Sequence, residues 1–446
     1  MEPTSTIRVA QPGRPQAGPA RKVSGASWAL ADQCIVSGSN FVTIYLFARC
    51  LQPSVFGELV LGYTALLLLT GLQGALVTQP HNVLAAALAP RAYRRFTGAM
   101  AVAQLALCVA LSAALGAASV AMRALALPAA AGVLSGLAAA AAPWFGQEFV
   151  RRVLYTRGES RSVALNDLLT YGLQLAGTLT LLVRWPEHAT PQAGLLVLGI
   201  SSAAGVALGL WQLRGHAQLR GIGWRSCVGV WREAWGFGKW LTAQNALSWL
   251  GSQGHVWLVG ILLGPGPVGL YRAATHFAHL LNPLRQAAFS YLPSRGSVAY
   301  EAGGAPALAR WVRRTAIVLL AALLPPGLLL IAFSGDVLRL AYGAQYSGPR
   351  MALILAAATA AQCITFWKFP FDIGLLALRA TKQIFLVNLV PVPLLLVVGT
   401  ALVYYLGIVG APLSALAISA ALLVATRAAY RQMLAAGAAR AAPIEA

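Results

Sequence analysis

Residues 51–57 read Leu-Gln-Pro-Ser-Val-Phe-Gly, and residues 263–269 read Leu-Gly-Pro-Gly-Pro-Val-Gly. Leucine, proline and glycine recur at matched positions of the two stretches. Each stretch follows a run of apolar residues, and about 20 such residues suffice to cross a bilayer. The repeat therefore predicts that the chain has two halves, each beginning with a first span, a tight outer turn and a second span.

The composition of the whole chain is that of a membrane protein. Of its 446 residues, 58% are hydrophobic and 10% are charged, and the mean hydropathy is +0.68. Soluble domains are about 25% charged, so this composition excludes a soluble enzyme. The apolar runs predict twelve transmembrane helices, at about 26–48, 55–80, 97–121, 125–149, 163–183, 192–213, 241–263, 268–291, 315–334, 351–377, 383–405 and 409–427. We expect an all-α polytopic membrane protein with two six-helix lobes around a central cavity.

Basic residues are concentrated in alternate loops between these spans. If the amino terminus is cytoplasmic, the inner segments hold 25 lysines and arginines and the outer segments hold 5. Cytoplasmic loops of membrane proteins carry such an excess. This topology places both termini in the cytoplasm and accounts for the net charge of +21 without a nucleic-acid partner.

The predicted domain organisation follows from the spans. It consists of a disordered cytoplasmic tail at 1–25, an N-terminal six-helix lobe at 26–213, a cytoplasmic amphipathic linker at 214–240, a C-terminal six-helix lobe at 241–430 and a cytoplasmic tail at 431–446. In the linker, Trp224, Trp231 and Trp235 share one helical face, which is typical of a helix lying on the membrane surface. An irregular loop with interfacial tryptophans is the alternative.

The eighth predicted span has a stripe of polar residues. Arg272, His276 and His279 are spaced i, i+4 and i+7 and share one helical face. The stripe continues through Pro283, Gln286 and Ser290. Polar side chains on a membrane helix face water or other protein rather than lipid. The stripe predicts a cationic lining for an anionic substrate; alternatively, Arg272 snorkels to the headgroups and the histidines are packed core residues.

The first spans of the two halves are also polar on one side. Asp32 and Asn40 lie on one face of the first span, and Asn245 and Ser252 lie on one face of the seventh. These groups either line a shared cavity or form hydrogen bonds between helices. Asp32 either pairs with an arginine in the lumen or lies close enough to the headgroups to stay hydrated.

Other notable residues favour structural roles. Lys368 and Asp372 are spaced i, i+4 in the tenth span and form either an internal structural ion pair or a coupling site. Gly132 and Gly136 form a GxxxG pattern typical of helix packing. The five scattered cysteines are expected to be small buried hydrophobic residues. No pattern typical of a nucleotide, metal or catalytic site occurs, so we expect no enzyme activity, cofactor or metal.

Several stretches resemble the polysaccharide-biosynthesis flippases. They are 27–33, 37–41, 48–53 with Phe56 and Gly57, 149–155 with Arg157 and Gly158, 340–346 and 407–412. These flippases move lipid-linked oligosaccharides, such as O-antigen units, across the bacterial inner membrane. They belong to the multidrug/oligosaccharidyl-lipid/polysaccharide exporter superfamily.

The resemblance implies a mechanism and a set of site residues. It implies alternating access, with a cationic cavity that holds a lipid pyrophosphate while the polyprenyl tail stays in the bilayer. By position, it implies that Asp32, Arg49 and Arg272 lie in that cavity. For Arg49, an anchor at the outer interface is the alternative.

We therefore expect a flippase for an undecaprenyl-pyrophosphate-linked oligosaccharide in the bacterial inner membrane. It would act as a monomer, in contact with membrane lipid and with other polysaccharide-assembly proteins. Within transport, the alternative is a cation-coupled multidrug antiporter of the same superfamily, which favours an acidic cavity. Among enzymes, the alternative is a membrane polymerase or glycosyltransferase, which needs a catalytic loop or domain that the short loops do not supply.

Overall fold

The computed structural model describes residues 19–86, 88–218, 223–343, 346 and 348–441, without the side chains of 19–26, 281–291 and 437–441. Its helices are α1 (Pro19–Cys50), α2 (Pro53–Gln73), α3 (Gln79–Leu84), α4 (Pro90–Ala124), α5 (Pro128–Thr156), α6 (Ser160–Arg184), α7 (Pro191–Gln212), α8 (Trp224–Leu263), α9 (Pro265–His276), α10 (Asn282–Ala332), α11 (Ser334–Tyr342), α12 (Pro349–Ala377), α13 (Thr381–Leu389), α14 (Pro391–Leu394), α15 (Thr400–Leu406) and α16 (Gly410–Ala441). Short π-helical segments join α2 to α3 and α14 to α15, and a 3₁₀ segment, Phe277–Leu281, joins α9 to α10. No strand occurs among the residues that the structure describes.

The helices cover most of the predicted spans. Eight helical stretches of the described chain are long and apolar enough to cross a membrane, and one of them, Thr381–Ala436, covers both the eleventh and the twelfth predicted spans. The first, fifth and eighth predicted spans are not among these stretches. Within hydrocarbon, no water can satisfy backbone N–H and C=O groups, so hydrogen bonds inside each helix must do so. The chain is an all-α polytopic membrane protein, as the sequence predicts.

The chain divides into two compact units. The first contains the described residues up to Leu46 together with Gly62–Ala246. The second contains Phe47–Leu61 and the described residues from Leu247 onward. The end of α1 and the start of α2 therefore pack with the second unit, although most of both helices belongs to the first.

Several helices extend beyond the predicted spans. α1 begins at Pro19, within the predicted tail 1–25, whose residues 1–18 lie outside the described part of the chain. α8 runs without a break from Trp224, so the second part of the predicted linker 214–240 and the seventh span form one helix. α16 continues to Ala441, through most of the predicted tail 431–446. Each added residue gains a hydrogen bond on an existing helix, which makes extension far easier than nucleation.

The three tryptophans of the predicted linker lie at the start of α8 in different surroundings. The indole N–H of Trp231 donates to the carbonyl oxygen of Ala99 on α4, at 3.0 Å. Trp224 and Trp235 are 68% and 57% exposed. One tryptophan therefore fixes this end of α8 to the first unit, while the other two present apolar surface outward.

Two expectations about small residues have different outcomes. A Cβ atom on Gly136 would lie 3.1 Å from the Cα atom of Gln192 on α7, which confirms the helix-packing role of the GxxxG pattern. The expectation of buried cysteines is wrong for Cys34 and Cys50, which are exposed. Lipid tails are as apolar as a protein core, so a small thiol on a membrane helix need not face the interior.

The two copies of the repeated stretch contact each other within the second unit. A Cβ atom on Gly57 would lie 1.8 Å from the carbonyl oxygen of Pro265. A Cβ atom on Gly269 would lie 2.0 Å from the carbonyl oxygen of Pro53. The contact is reciprocal, since the glycine of each copy meets the proline carbonyl of the other. Only glycine permits so close a backbone approach, so the repeat holds the starts of α2 and α9 together.

Substituting Gly57→Ala is expected to lower the stability of the protein by about 1–3 kcal/mol or more, because the added methyl group overlaps a backbone carbonyl that cannot move freely. Gly266→Ala is the matched control in the same turn, since nothing lies within 4 Å of a Cβ atom there. The measurement is the apparent unfolding temperature of the purified protein in detergent. Equal unfolding temperatures for the two variants would contradict the close approach.

Candidate functional site

A cluster of ion pairs lies inside the first unit, centred on Arg151 of α5. Its Nε is 2.7 Å from Oδ2 of Asp167 on α6, and its Nη2 is 3.3 Å from Oδ2 of Asp32 on α1. Its Nη1 is 2.9 Å from Oε2 of Glu148, one turn away on α5. The side chains of Asp32 and Asp167 are 2% and 0% exposed. One guanidinium group therefore joins three helices of this unit.

Neutral donors complete the hydrogen bonding of the two aspartates. The Tyr155 hydroxyl donates to Oδ2 of Asp32 at 2.5 Å, and Nε2 of Gln147 donates to Oδ1 of Asp167 at 2.7 Å. A buried ion pair is tolerated only when its remaining lone pairs are satisfied in this way. Oδ1 of Asp32 is buried and has no hydrogen-bond partner among the described residues. The other oxygen of Asp32 and both oxygens of Asp167 each accept at least one hydrogen bond.

The charges of the cluster do not balance. Glu148 also accepts from Nε of Arg152 at 2.8 Å, and Arg152 is 45% exposed at the edge of the cluster. Three carboxylates thus share two guanidinium groups. With every group ionised, the cluster has a surplus of one negative charge, and an uncompensated buried charge is costly. The arrangement can therefore take up a proton or another monovalent cation.

A row of neutral polar side chains continues the cluster along α6. Its members are Asn166, Thr170, Gln174 and Thr178, all buried. Nε2 of Gln174 donates to Oγ1 of Thr43 at 3.0 Å and to Oδ1 of Asn40 at 3.3 Å. Asn40, a predicted substrate contact, therefore serves the packing of α1 against α6 in this structure.

In the second unit, the predicted cationic stripe lies on α9 and the 3₁₀ segment that follows it. Arg272 is half-buried, and His276 is buried with its ring centroid 6.1 Å from that of Phe277. His279 lies in the 3₁₀ segment, where residues three apart eclipse, so it stays on the face of His276. Its Nδ1 is 3.3 Å from Nε2 of Gln362 on α12. The side chains of Pro283, Gln286 and Ser290 lie outside the described part of the chain.

Lys368 and Asp372 of α12 form the ion pair that their spacing predicts. Nζ of Lys368 is 2.7 Å and 2.5 Å from the two carboxylate oxygens of Asp372. The Lys368 side chain is 11% exposed and that of Asp372 is 28% exposed. Among the described residues, the two side chains bond only each other, so the pair is local to one helix.

The remaining predicted site residues lie apart from both groups. Arg49 is exposed at the end of α1 and donates from Nη1 to the carbonyl oxygen of Ala341 on α11, at 2.5 Å. Nδ2 of Asn245 donates to the carbonyl oxygen of Gly71 at 2.9 Å. Ser252 is exposed and bonds only the carbonyl oxygen of Trp249 in its own helix, at 3.1 Å, among the contacts described. The bonds of Arg49 and Asn245 each join two helices, within the second and the first unit respectively.

The central residue of the ion-pair cluster is not among the predicted site residues. The predicted spans place Arg151 in an inner loop, whereas α5 continues to Thr156 and leaves the Arg151 side chain only 14% exposed. Asp167 and Glu148 lie inside the fifth and fourth predicted spans but are not predicted as site residues either. A signal was present, since Glu148, Arg151 and Tyr155 are spaced i, i+3 and i+7 and share a helical face.

The described residues contain no group of three histidine, cysteine, aspartate or glutamate side chains that could hold a metal ion. The three clustered carboxylates are instead occupied by guanidinium, hydroxyl and amide donors.

No model of a known protein family matches the chain, and no curated protein matches it. Solved structures share its fold. An inward-facing conformation of a multidrug resistance MATE family transporter of the MOP superfamily is 13% identical, with a TM-score of 0.71, covering 92% of this chain and 96% of that one. An outward-facing conformation of such a transporter is 13% identical, with a TM-score of 0.62 and coverages of 94% and 96%.

A third structure is a MOP superfamily transporter from Pyrococcus furiosus, described as having a binding pocket of reverse polarity that suggests a different function. It is 14% identical to this chain, with a TM-score of 0.60 and coverages of 94% and 95%.

The chain thus shares the fold of these transporters over nearly its whole length.

Replacing Arg151 with glutamine is expected to destabilise the protein by about 3–5 kcal/mol, because the change leaves buried carboxylates without their cation. Arg152→Gln is the matched control, and its exposed ion pair is worth only about 0–1 kcal/mol. The apparent unfolding temperature in detergent measures the difference.

A double variant that adds Asp32→Asn to Arg151→Gln should lose less stability than the sum of the losses in the two single variants, since the two groups interact directly. Strict additivity would exclude that interaction.

Proposed function

We propose that this protein exports amphipathic organic molecules by alternating access, coupled to a monovalent cation that binds in the first unit. The surplus carboxylate of the Arg151 cluster carries this proposal, because an uncompensated buried negative charge favours the uptake of a proton inside this unit. The likeness in fold to multidrug resistance MATE family transporters supports the substrate class.

Asp32 is the group through which we expect the cation to act. Its Oδ1 is buried without a described hydrogen-bond partner, so a proton or cation can bind this oxygen without displacing Arg151. Its Oδ2 meets Arg151 of α5 and Tyr155 of the same helix. Neutralising Asp32 weakens its attraction to the guanidinium, and this change alters the link between α1 and α5. Cation binding and helix packing are thereby coupled.

A second candidate is the flippase for a lipid-linked oligosaccharide. The sequence stretches that resemble such flippases favour it. So does the cationic and imidazole character of α9 and the following 3₁₀ segment, at Arg272, His276 and His279. Guanidinium and imidazolium groups bind phosphate by charge-assisted hydrogen bonds. The reverse-polarity transporter from Pyrococcus furiosus supports the idea that pocket charge varies on this fold. On this candidate, the substrate is an undecaprenyl-pyrophosphate-linked oligosaccharide and other polysaccharide-assembly proteins are partners.

We also propose that the protein lies in the bacterial inner membrane with both termini in the cytoplasm. The alternation of basic loops supports this orientation. A self-contained bundle of twelve helices is compatible with a monomer.

The test of cation coupling uses proteoliposomes loaded with ethidium, a fluorescent lipophilic cation, under an imposed proton or sodium gradient and without ATP. We expect gradient-driven dye export that Asp32→Asn slows by about tenfold or more, equivalent to about 1.4 kcal/mol in the barrier. Asp336→Asn is the matched control, since the side chain of Asp336 is 69% exposed. If the wild-type protein exports the dye at the same rate with and without either gradient, the antiporter is rejected.

The flippase is tested in the same vesicles with a fluorescent polyprenyl-pyrophosphate oligosaccharide, whose sidedness is scored by a membrane-impermeant reagent. If this candidate is right, wild-type protein moves the lipid and Arg272→Ala abolishes the movement, because a cation for the pyrophosphate is lost. Arg350→Ala controls for the loss of one exposed arginine. A lipid that stays in its leaflet with wild-type protein would reject the flippase, whatever the result with ethidium.

A further inference from the structure

Three arginines of α10 form a patch that neither transport candidate uses. Arg310, Arg313 and Arg314 are exposed, and together with Ile317 and Val318 they line an open depression of about 240 Å³. At 100° per residue, these five side chains fall within about 140° of the helix circumference. The depression is thus lined by cationic groups on one side and by aliphatic groups on the other.

The opposite face of the same helix is the one that packs. Leu308 and Val312 are 0% and 1% exposed and belong to the hydrophobic core of the second unit. Among the described residues, none of the three arginines forms an ion pair with a carboxylate. The patch therefore points away from the core, and its charges are available to an external ligand.

The patch lies at the point where α10 enters the membrane. Residues 315–332 follow the last of the three arginines and contain no charged residue. At 1.5 Å per residue, this run extends about 27 Å, close to the roughly 30 Å thickness of the hydrocarbon core. The guanidinium groups are therefore level with the lipid phosphates, and Ile317 and Val318, each 57% exposed, are level with the first acyl carbons.

We propose that this patch binds the headgroup of an anionic phospholipid. Guanidinium groups match phosphate oxygens in geometry and charge. The volume is smaller than the roughly 300–1,000 Å³ of pockets for drug-sized molecules, which suits a headgroup whose acyl chains remain in the bilayer. The adjoining aliphatic side chains favour a lipid over a soluble phosphate, because they offer apolar contact to the chains.

Native mass spectrometry of the full-length protein in detergent tests the proposal, with cardiolipin, phosphatidylglycerol and phosphatidylcholine as added probes. We expect cardiolipin and phosphatidylglycerol to bind more tightly than phosphatidylcholine. The triple variant R310Q/R313Q/R314Q should bind the anionic lipids about a hundredfold more weakly, since each basic residue near anionic lipid contributes about fivefold. Single changes such as Arg314→Gln should each weaken binding by about that fivefold factor and should leave the unfolding temperature unchanged.

A matched triple variant separates a built site from general attraction of basic protein to anionic lipid. R91Q/R94Q/R95Q removes the same charge from exposed arginines of α4. The proposal requires this variant to weaken the binding of the anionic lipids far less than R310Q/R313Q/R314Q does. Equal weakening by the two triple variants would overturn it, and so would displacement of the lipid by millimolar glycerol phosphate, which would mark a site for a soluble phosphate.

Discussion

The guanidinium group of Arg151 is the interaction on which the first unit depends. It lies among three carboxylates and links α1, α5 and α6. Apolar side chains give little preference for one helix neighbour over another in lipid, because lipid tails are equally apolar. A buried charge needs a specific partner at a specific distance. The ion-pair cluster therefore sets the register of these helices, and the same feature makes that register sensitive to a proton or cation.

The second unit handles its charges differently. Lys368 and Asp372 pair within one helix, so their bond stabilises α12 without selecting a neighbour. Contacts between different elements of this unit include that of His279, in the 3₁₀ segment Phe277–Leu281, with Gln362 of α12, and the reciprocal glycine contact at the starts of α2 and α9. The interiors of the two units therefore differ. The first unit has more carboxylates than guanidinium groups in its ion-pair cluster, whereas the second has Arg272, His276 and His279 on one face. This asymmetry is the basis for placing cation coupling in the first unit.

The two substrate candidates depend on different parts of the molecule. Export of amphipathic molecules by cation coupling depends on the fold and on the Asp32 environment. Movement of a pyrophosphate lipid depends on α9, whose two histidines pack against neighbouring aromatic and amide groups. Charge at a few positions decides between them, because a substrate phosphate and a lipophilic cation need opposite charges on the protein.

The sequence by itself determined the twelve apolar runs, the repeat that divides them and the local pair of Lys368 with Asp372, because each of these depends on residues close together in the chain. It also marked Asp32 as a residue that needs a partner. Only the tertiary structure decided that this partner is Arg151, which is 119 positions away and seemed to belong to a loop. Likewise, only the tertiary structure shows that Asn40 and Arg49 contact helices that are distant in sequence. Hydropathy sets which segments enter the membrane, whereas the pairing of buried polar groups depends on which helices become neighbours, and local sequence does not specify that.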